Sequence, residues 1–400
     1  MTRSESVPLS GAADDPDRDR RIRRVLEGVI GVAATEGNHI EALVNGDRIF
    51  SAMLEAIGSA RHTIDFLTFI YWNGEIGTRF AKELAARAAA GVRVRVLLDG
   101  WGAHPMDRSL IETMEESGVA IRWFRPITRL KPGRLNHRTH RKVLIIDEQT
   151  AFTGGVGIAD EWKGDARNER EWRDTHFRID GPSVDGLRAA FLADWAETDL
   201  DLFDDDVDRF PEQPQPGTAI VQCVRSAAGP GQSDVALLLR TLIQLAAERL
   251  RITTAYFVPD DDLTERLCSS ADRGVRIEIL LPGPHIDKRF VQVAAESAYA
   301  NLLDHGIRIS SFQPSMLHAK VITMDGIVAS VGSANFNARS VSLDDEINLV
   351  VIDQALVEQL DRQFEDDLER SIELDPERWD HRRLVQRVVE RAIAPVRPVS

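Results

Sequence analysis

Two stretches of this chain obey one rule. His140-Arg141-Lys142-Val143-Leu144-Ile145-Ile146-Asp147 and His318-Ala319-Lys320-Val321-Ile322-Thr323-Met324-Asp325 both read His-x-Lys-x-x-x-x-Asp. Each is followed by a turn of small residues, Gly154-Gly155-Val156-Gly157 in the first copy and Gly332-Ser333-Ala334-Asn335 in the second. His318, Asp325 and Gly332 each trail their counterparts His140, Asp147 and Gly154 by 178 residues. Lys is scarce here, six residues in a chain with 49 Lys and Arg together, and two of the six sit in the motifs, which makes coincidence a poor explanation. A ring able to act as nucleophile, a cation and a carboxylate, repeated in register, predict one phosphate-handling site assembled from two halves.

The rest of the chain repeats with the motifs. Ala60 to Trp72 pairs with Ala247 to Pro259, each a helix end running into a β-branched and aromatic strand. Leu84 to Gly100 pairs with Leu267 to Gly283, where a Gly ends a helix and alternating Val, Ile and Leu make a strand. Ser117 to Phe124 pairs with His305 to Phe312 just ahead of each motif. Each half therefore reads β-α-β-α-β followed by a motif strand pair, an α/β architecture of two pseudo-symmetric α-β-α sandwiches with the active site at their interface. The acidic run 199–208 and the Pro-rich 211–217 mark the join. The expected division is a disordered tail over 1–19, an N-terminal helix over 20–45, a first domain over 46–209 and a linker over 210–217. A second domain over 218–375 and a C-terminal helix and tail over 376–400 complete it. Within 20–34, Ile22, Val25, Leu26, Val29 and Ile30 form an apolar stripe opposite Arg residues, which reads as a docking helix before a membrane-surface one.

His and Lys two apart on a strand project to the same face and can address one phosphate together. A neutral imidazole can attack phosphorus while its twin, protonated, donates to the departing oxygen, so Lys142 and Lys320 are left to balance charge on the phosphoryl oxygens. Gly155, Ser333 and Asn335 are the expected phosphate-binding donors of the small-residue turns. An attacking imidazole needs its other nitrogen anchored. Asp174 and Glu346, downstream in the two halves, are expected to orient His140 and His318 as a carboxylate does in a Ser-His-Asp triad. Asp147 and Asp325, five residues beyond Lys, are expected to be structural. The reading calls for no cofactor and no metal: His137 and His140 have no Cys or third His at ligand spacing.

Charge and composition narrow the partner. A net charge of −15 argues against a general nucleic-acid binder. Against that trend, Arg129, Lys131, Arg134, His137, Arg138, His140, Arg141 and Lys142 form a basic run into the first motif, suited to an anionic substrate or membrane surface. The two Cys exclude a disulfide framework, and neither a secretory signal nor a run of about eighteen apolar residues is present. The expected location is cytoplasmic and peripheral to the inner membrane.

With these residues in place, the chain resembles the phospholipase D superfamily over about residues 40 to 380, most of all bacterial cardiolipin synthases and related phosphatidyltransferases. Beyond the motifs, the likeness rests on residues 136–142, Trp172-Arg173-Asp174-Thr175-His176, Ala255-Tyr256-Phe257-Val258-Pro259-Asp260, Met316-Leu317-His318-Ala319-Lys320 and residues 332–340. The resemblance implies metal-independent phosphatidyl transfer through a phosphohistidine, with His140 as nucleophile and His318 as acid and base. It implies cardiolipin made from two phosphatidylglycerols with release of glycerol. Hydrolysis to phosphatidic acid, or a phosphodiesterase or nuclease activity of the same superfamily, is the alternative. The chain departs from the family pattern in having Gly157 where Asn is usual. No N-terminal membrane segments are expected, which would leave lipid contact to basic residues and to exposed aromatics such as Trp72 or Trp101.

Overall fold

The computed structural model describes residues 17–126, 137–198, 210–226, 233–287, 298–337, 339–340 and 343–376. The acidic run 199–208, residues 1–16 of the expected tail over 1–19, residues 377–400 of the expected C-terminal helix and tail over 376–400, and Arg129, Lys131 and Arg134 of the basic run lie outside the described residues.

Fifteen strands make one continuous sheet. In the first half the order is β1 (Thr35–Val44), β7 (Thr175–Asp180), β6 (Thr150–Gly154), β5 (Val143–Ile146), β2 (Thr63–Thr68), β3 (Arg93–Asp99) and β4 (Ala120–Phe124). The second half repeats it outward from the seam as β8 (Ala219–Arg225), β16 (Ile347–Ile352), β14 (Val328–Gly332), β13 (Val321–Met324), β9 (Arg249–Thr253), β11 (Arg276–Pro282) and β12 (Arg308–Phe312). β17 (Ser371–Glu373) adds an edge beyond β12, and β10 (Phe257–Val258) pairs with β15 (Phe336–Asn337) in a separate short ladder. The seam is the antiparallel contact of β1 with β8, where buried Asn38 donates to the Thr35 and Ala219 carbonyls and accepts from the Ser183 N–H.

One expectation fails at the start of the chain. Residues 35–44 are strand, not the continuation of a helix to 45, because α1 (Arg18–Ile30) stops where Gly31 turns left-handed at φ 76° and caps the Glu27 carbonyl. The following residues find ladder partners on both sides, in β7 and β8, and an extended chain satisfies them. Arg18 and Asp19, expected within a tail over 1–19, lie in α1 instead. The helix docks: Ile22, Leu26 and Ile30 are buried in the second half's core beside Leu238 and Leu242 of α6 (Asp234–Leu245), and Arg18 pairs with Asp325 and Glu248.

Helices cover both faces of the sheet. α2 (Asn45–Ser59), α3 (Glu75–Ala89) and α4 (Arg108–Glu116) bury their apolar stripes with Phe66, Val96 and Leu144 of the first half, while α1, α6 and α7 (Asp261–Asp272) do so on the second. On the opposite face α5 (Val184–Trp195) and α8 (Gln354–Glu369) share one core drawn from both halves, including Phe177, Phe191, Val221, Leu349 and Leu360. Fully buried Phe177 and Phe191 each contribute about 1.5–3 kcal/mol relative to exposure. A core common to the halves holds them as one body, so side chains meeting across the seam keep a fixed geometry.

Candidate active site

Each motif opens a β-hairpin, β5–β6 in the first half and β13–β14 in the second. The motif carboxylates work at the far end of it. Asp147, left-handed at φ 50°, accepts the backbone N–H groups of Arg61, His62 and Thr63, and Asp325, at φ 54°, accepts those of Ala247, Glu248 and Arg249. Both tie the hairpin turn to the chain entering the neighbouring strand, away from the histidines.

The histidines are brought together by a crossed backbone lock. His140 N–H donates to the Asp345 carbonyl at 2.9 Å and Asp345 N–H to the Arg138 carbonyl at 2.8 Å. In the mirror arrangement, His318 N–H donates to the Arg173 carbonyl at 2.7 Å and Arg173 N–H to the Met316 carbonyl at 2.9 Å. The residue following each accepting strand-like bridge is the carboxylate that serves the other half's imidazole. His140 Nδ1 lies 3.0 and 3.1 Å from the two Glu346 oxygens, and His318 Nδ1 lies 2.8 Å from Asp174 Oδ2. Because a carboxylate accepts, each ring donates through Nδ1 and turns its Nε2 lone pair away from its anchor.

Both anchors are fully buried and braced. Trp162 Nε1 donates to Asp174 at 2.9 Å and the Thr175 N–H at 2.8 Å; the Ser333 hydroxyl donates to Glu346 at 2.5 Å. Burial alone would raise both carboxyls, yet Asp174 is held below the usual range by His318 and Lys320, and Glu346 by His140 and Lys142. Burial pushes both imidazoles down to about 4 and the ammoniums of Lys142 and Lys320 down to about 8 and about 7. Lys320 acts on His140 and Lys142 on His318 through charge, so the two pairs share one site. Lys142 donates to the His140 carbonyl at 2.7 Å and lies over the Phe69 ring, and Lys320 donates to the His318 carbonyl.

The small residues do other work than expected. Gly155 makes room: a Cβ there would lie 2.3 Å from Asp174 Oδ1. Ser333 spends its hydroxyl on Glu346 and its N–H on the Ile347 carbonyl at 3.0 Å, so neither is left for a phosphate. Asn335 fits the donor expectation better. It is buried and its N–H donates to Ser340, so only its side-chain NH2 could donate to a phosphate; its Oδ1, an acceptor, has no partner among the described residues. Its counterpart Gly157 faces Ile70, whose Cβ would lie 2.6 Å from any Cβ built at 157. A branched side chain thus fills the space of the missing Asn.

The basic run divides. Arg138 and Arg141 are buried and committed within the protein: Arg141 donates to Asp194 and to the Ala190, Ser226 and Glu346 carbonyls, and Arg138 to the Arg125 carbonyl. Neither is available to a substrate, because pairing them inside is what makes their burial tolerable. Sequence reasoning missed the aromatic surroundings of His318. Trp162, Trp172 and Tyr256 lie with ring centroids 5.2, 5.5 and 6.4 Å from its ring, whereas His140 has only Phe69 at 5.2 Å among the described ring contacts. The signal was present in Trp172, two residues before Asp174 and so on its side of an extended chain.

Known proteins resemble this chain over most of its length. Residues 53–170 and 239–368 match the family described as "Cardiolipin synthase, PLD-like domain". The chain is 33% identical over 406 residues to cardiolipin synthase 1 of Bacillus anthracis, covering 99% of this chain and 78% of that one. It is 33% identical over 374 residues to a cardiolipin synthase of Clostridium perfringens (strain SM101 / Type A), covering 91% and 78%. Its fold is similar to the crystal structure of phosphatidylserine synthase from Haemophilus influenzae Rd KW20, with a TM-score of 0.72 and 16% identity over 95% of this chain and 100% of the other.

Proposed function

Because the chain belongs to the cardiolipin synthase, PLD-like domain family, we propose that it is a phosphatidyltransferase working through a phosphohistidine, joining two phosphatidylglycerols into cardiolipin with release of glycerol. The observation that carries the reading is the pair of crossed dyads, His140 with Glu346 and His318 with Asp174. Each ring has its Nδ1 anchored on an anion, and the second nitrogen of His318 lies 3.1 Å from Lys320 Nζ.

The chemistry follows from those tautomers. His140 Nε2 attacks the phosphorus of the first phosphatidylglycerol, a P–N bond forms, and the P–O bond to glycerol breaks. The glycerol oxygen takes its proton from His318. Neutral again, His318 removes the proton from a head-group hydroxyl of the second phosphatidylglycerol; that oxygen attacks phosphorus, the P–N bond breaks and His140 is restored. Burial leaves both rings neutral before substrate binds, which suits the nucleophile. An anionic phosphodiester between them restores the proton that the acid needs, because an opposite charge within a few ångströms favours the imidazolium. Lys142, Lys320 and Asn335 stabilise the charge that builds on the phosphoryl oxygens. His140 is assigned as nucleophile because its side chain is the more exposed of the two, 13% against 8%. Side chains supply every proton and charge in this scheme, so it runs without a metal.

The substrate is a membrane lipid, and among the described residues no helix is long and apolar enough to cross a membrane. The enzyme then meets it at the bilayer surface. The test is product analysis by mass spectrometry after incubation with phosphatidylglycerol vesicles in EDTA, with an alkaline quench to preserve a phosphohistidine. Cardiolipin and glycerol in equal amounts, with the adduct on the His140 peptide, are expected. Phosphatidic acid alone would make the enzyme a hydrolase, and dependence on a divalent cation would remove the metal-free scheme.

A further inference from the structure

The two sides of the site differ in polarity at one matched position. Beyond β2 and β9 the chain turns in the same way: the Thr68 hydroxyl donates to the Ile70 carbonyl at 2.9 Å, and the Thr254 hydroxyl to the Tyr256 carbonyl at 3.2 Å. The next residues, Tyr71 and Phe257, bridge in parallel to Ile158 and Phe336. Ile70 and Tyr256 are therefore counterparts, as Gly157 and Asn335 are. In the first half this place holds hydrocarbon, with Ile70 packed on Gly157. In the second it holds a phenol and an amide, and the Tyr256 ring stands edge-on to the His318 ring at 6.4 Å.

Tyr256 acts together with a carboxylate. Its hydroxyl lies 2.7 Å from each oxygen of Asp287 and donates to it. Burial, and after it the Asp287 charge, holds the phenol well above its usual pKa, so it keeps the proton it donates. Asp287 is exposed, and the residue before it fixes its place: Ile286 is buried with Ala255 and Met316, against Trp172 and Tyr256. With the phenol's one proton committed, both groups offer a ligand only acceptor lone pairs. Their complement is a donor, either a hydroxyl or an ammonium. Asp287 already acts through charge on Lys320, so a hydroxyl is seated there without bringing a third cation beside Lys142 and Lys320.

We propose that Tyr256 and Asp287 form a subsite for the hydroxyls of a polyol head group, which sets the head-group ester oxygen of the lipid at His318 and its diacylglycerol on the Ile70 side. A phosphatidyl lipid has the same lopsided polarity as the site, with hydrocarbon beyond one ester oxygen and a polar group beyond the other. The free hydroxyls of a glycerol head group donate to Asp287 and to the phenol oxygen, and the same subsite serves the leaving and the incoming alcohol. The inference deepens the proposed phosphatidyl chemistry and rests on it.

The test is a competition. Vesicles carrying phosphatidylglycerol, phosphatidylpropanol and phosphatidylethanolamine in equal amounts are given to wild type, Tyr256→Phe and Asp287→Ala. Initial release of glycerol, 1-propanol and ethanolamine is measured by mass spectrometry, together with the lipid products. Competition within one vesicle makes each ratio a ratio of kcat/KM, so a general loss of activity or of vesicle binding cancels. Phosphatidylpropanol has the charge of phosphatidylglycerol and lacks only its free hydroxyls. Wild type is expected to favour glycerol over 1-propanol; Asp287→Ala should lose that preference about tenfold, and Tyr256→Phe should shift it in the same direction. An unchanged ratio in both variants overturns the subsite, and with cardiolipin still formed it leaves the transferase reading standing. Ethanolamine leading in wild type and falling in Asp287→Ala overturns the polyol assignment in favour of an ammonium head group. Phosphatidic acid in place of cardiolipin, with the glycerol preference lost in the variants, upholds the subsite and removes the transferase reading.

Discussion

Arg138-Thr139-His140-Arg141 and Met316-Leu317-His318-Ala319 hold equivalent places in the two halves and make the same crossed backbone bridges. Their surroundings have little in common. Before His140, Thr139 donates its hydroxyl to Asp194 at 2.6 Å and its N–H to Asp99, and Arg141 reaches four acceptors. Before His318, Leu317 packs with Leu280, Phe312 and Phe364, and Met316 with Ala255 and Ile286. The motif segment itself is thus held by polar partners on one side and by hydrocarbon on the other, where the buried ion pair, Arg173 with Asp367, sits on the bridging segment instead. The difference teaches that the site's symmetry is one of position, not of energetics. The polar side keeps ionisable groups next to its imidazole: burial raises Asp99 and Asp194 to about 6.

The largest test of the comparison is to disable each anchor in turn. Glu346→Gln and Asp174→Asn are both expected to lower kcat by about 10²–10⁴, since each leaves an imidazole in the wrong tautomer. They part company on a phosphatidyl p-nitrophenyl ester, whose leaving group needs no proton. Release of nitrophenol should return in Asp174→Asn and stay lost in Glu346→Gln; equal recovery in both would void the assignment of roles.

Next in size is removal of the scaffolding. Arg141→Ala should cost about 3–5 kcal/mol by leaving Asp194 buried without its cation, and Leu317→Ala about 2–5 kcal/mol by opening a cavity. Denaturant unfolding at two pH values tells them apart. Asp194 has a raised folded pKa, so its burial is tolerated when protonated at low pH and opposes folding as pH rises through about 6. The Arg141→Ala loss should therefore be greater at pH 8 than at pH 5, and the Leu317→Ala loss the same at both.

A smaller effect is expected from pH on the reaction itself. Lys320 and Lys142 lose their protons at about 7 and about 8 in the free enzyme, so kcat/KM should fall on the alkaline side as phosphate-binding charge is lost. Lys320→Arg, which stays charged, should move that limb up by about one pH unit. An unmoved limb would mean that another group sets it. The least effect concerns the one missing donor. Gly157→Asn should destabilise by about 1–3 kcal/mol through overlap with Ile70, and Ile70→Ala in the same chain, which removes the two Cγ contacts and keeps the Cβ, should relieve it only in part; thermal melting of the single and double variants decides.

Much of this was legible in the residues. The equal spacing of the two motifs carried the repeat, and Gly91 and Gly274, left-handed at φ 91° and 97° between α3 and β3 and between α7 and β11, sit where the helix-to-strand turns were read. β1 was missed because its identity as a strand comes from two partners distant in sequence. The basic run misled for a related reason: clustered Arg residues read as surface charge, and only their buried acceptors, Asp194 among them, show that Arg138 and Arg141 face inward. Ser333 was right as a small residue and wrong as a donor, since its hydroxyl and N–H serve Glu346 and Ile347, and Gly155 is small because Asp174 fills the space of a Cβ.

By itself the sequence determined that the chain folds as a doubled α/β unit and that His140, Lys142, His318 and Lys320 come in matched pairs. It could do so because helix and strand periodicity are local and the repeat multiplies the signal. Only the tertiary structure decided that each imidazole is anchored from the other half, by Glu346 at a separation of 206 residues and by Asp174 at 144. It likewise decided that Trp101 faces solvent while Trp72 bonds inward. Contacts of that range depend on how two halves meet through a shared core, and no spacing along a single strand encodes the meeting.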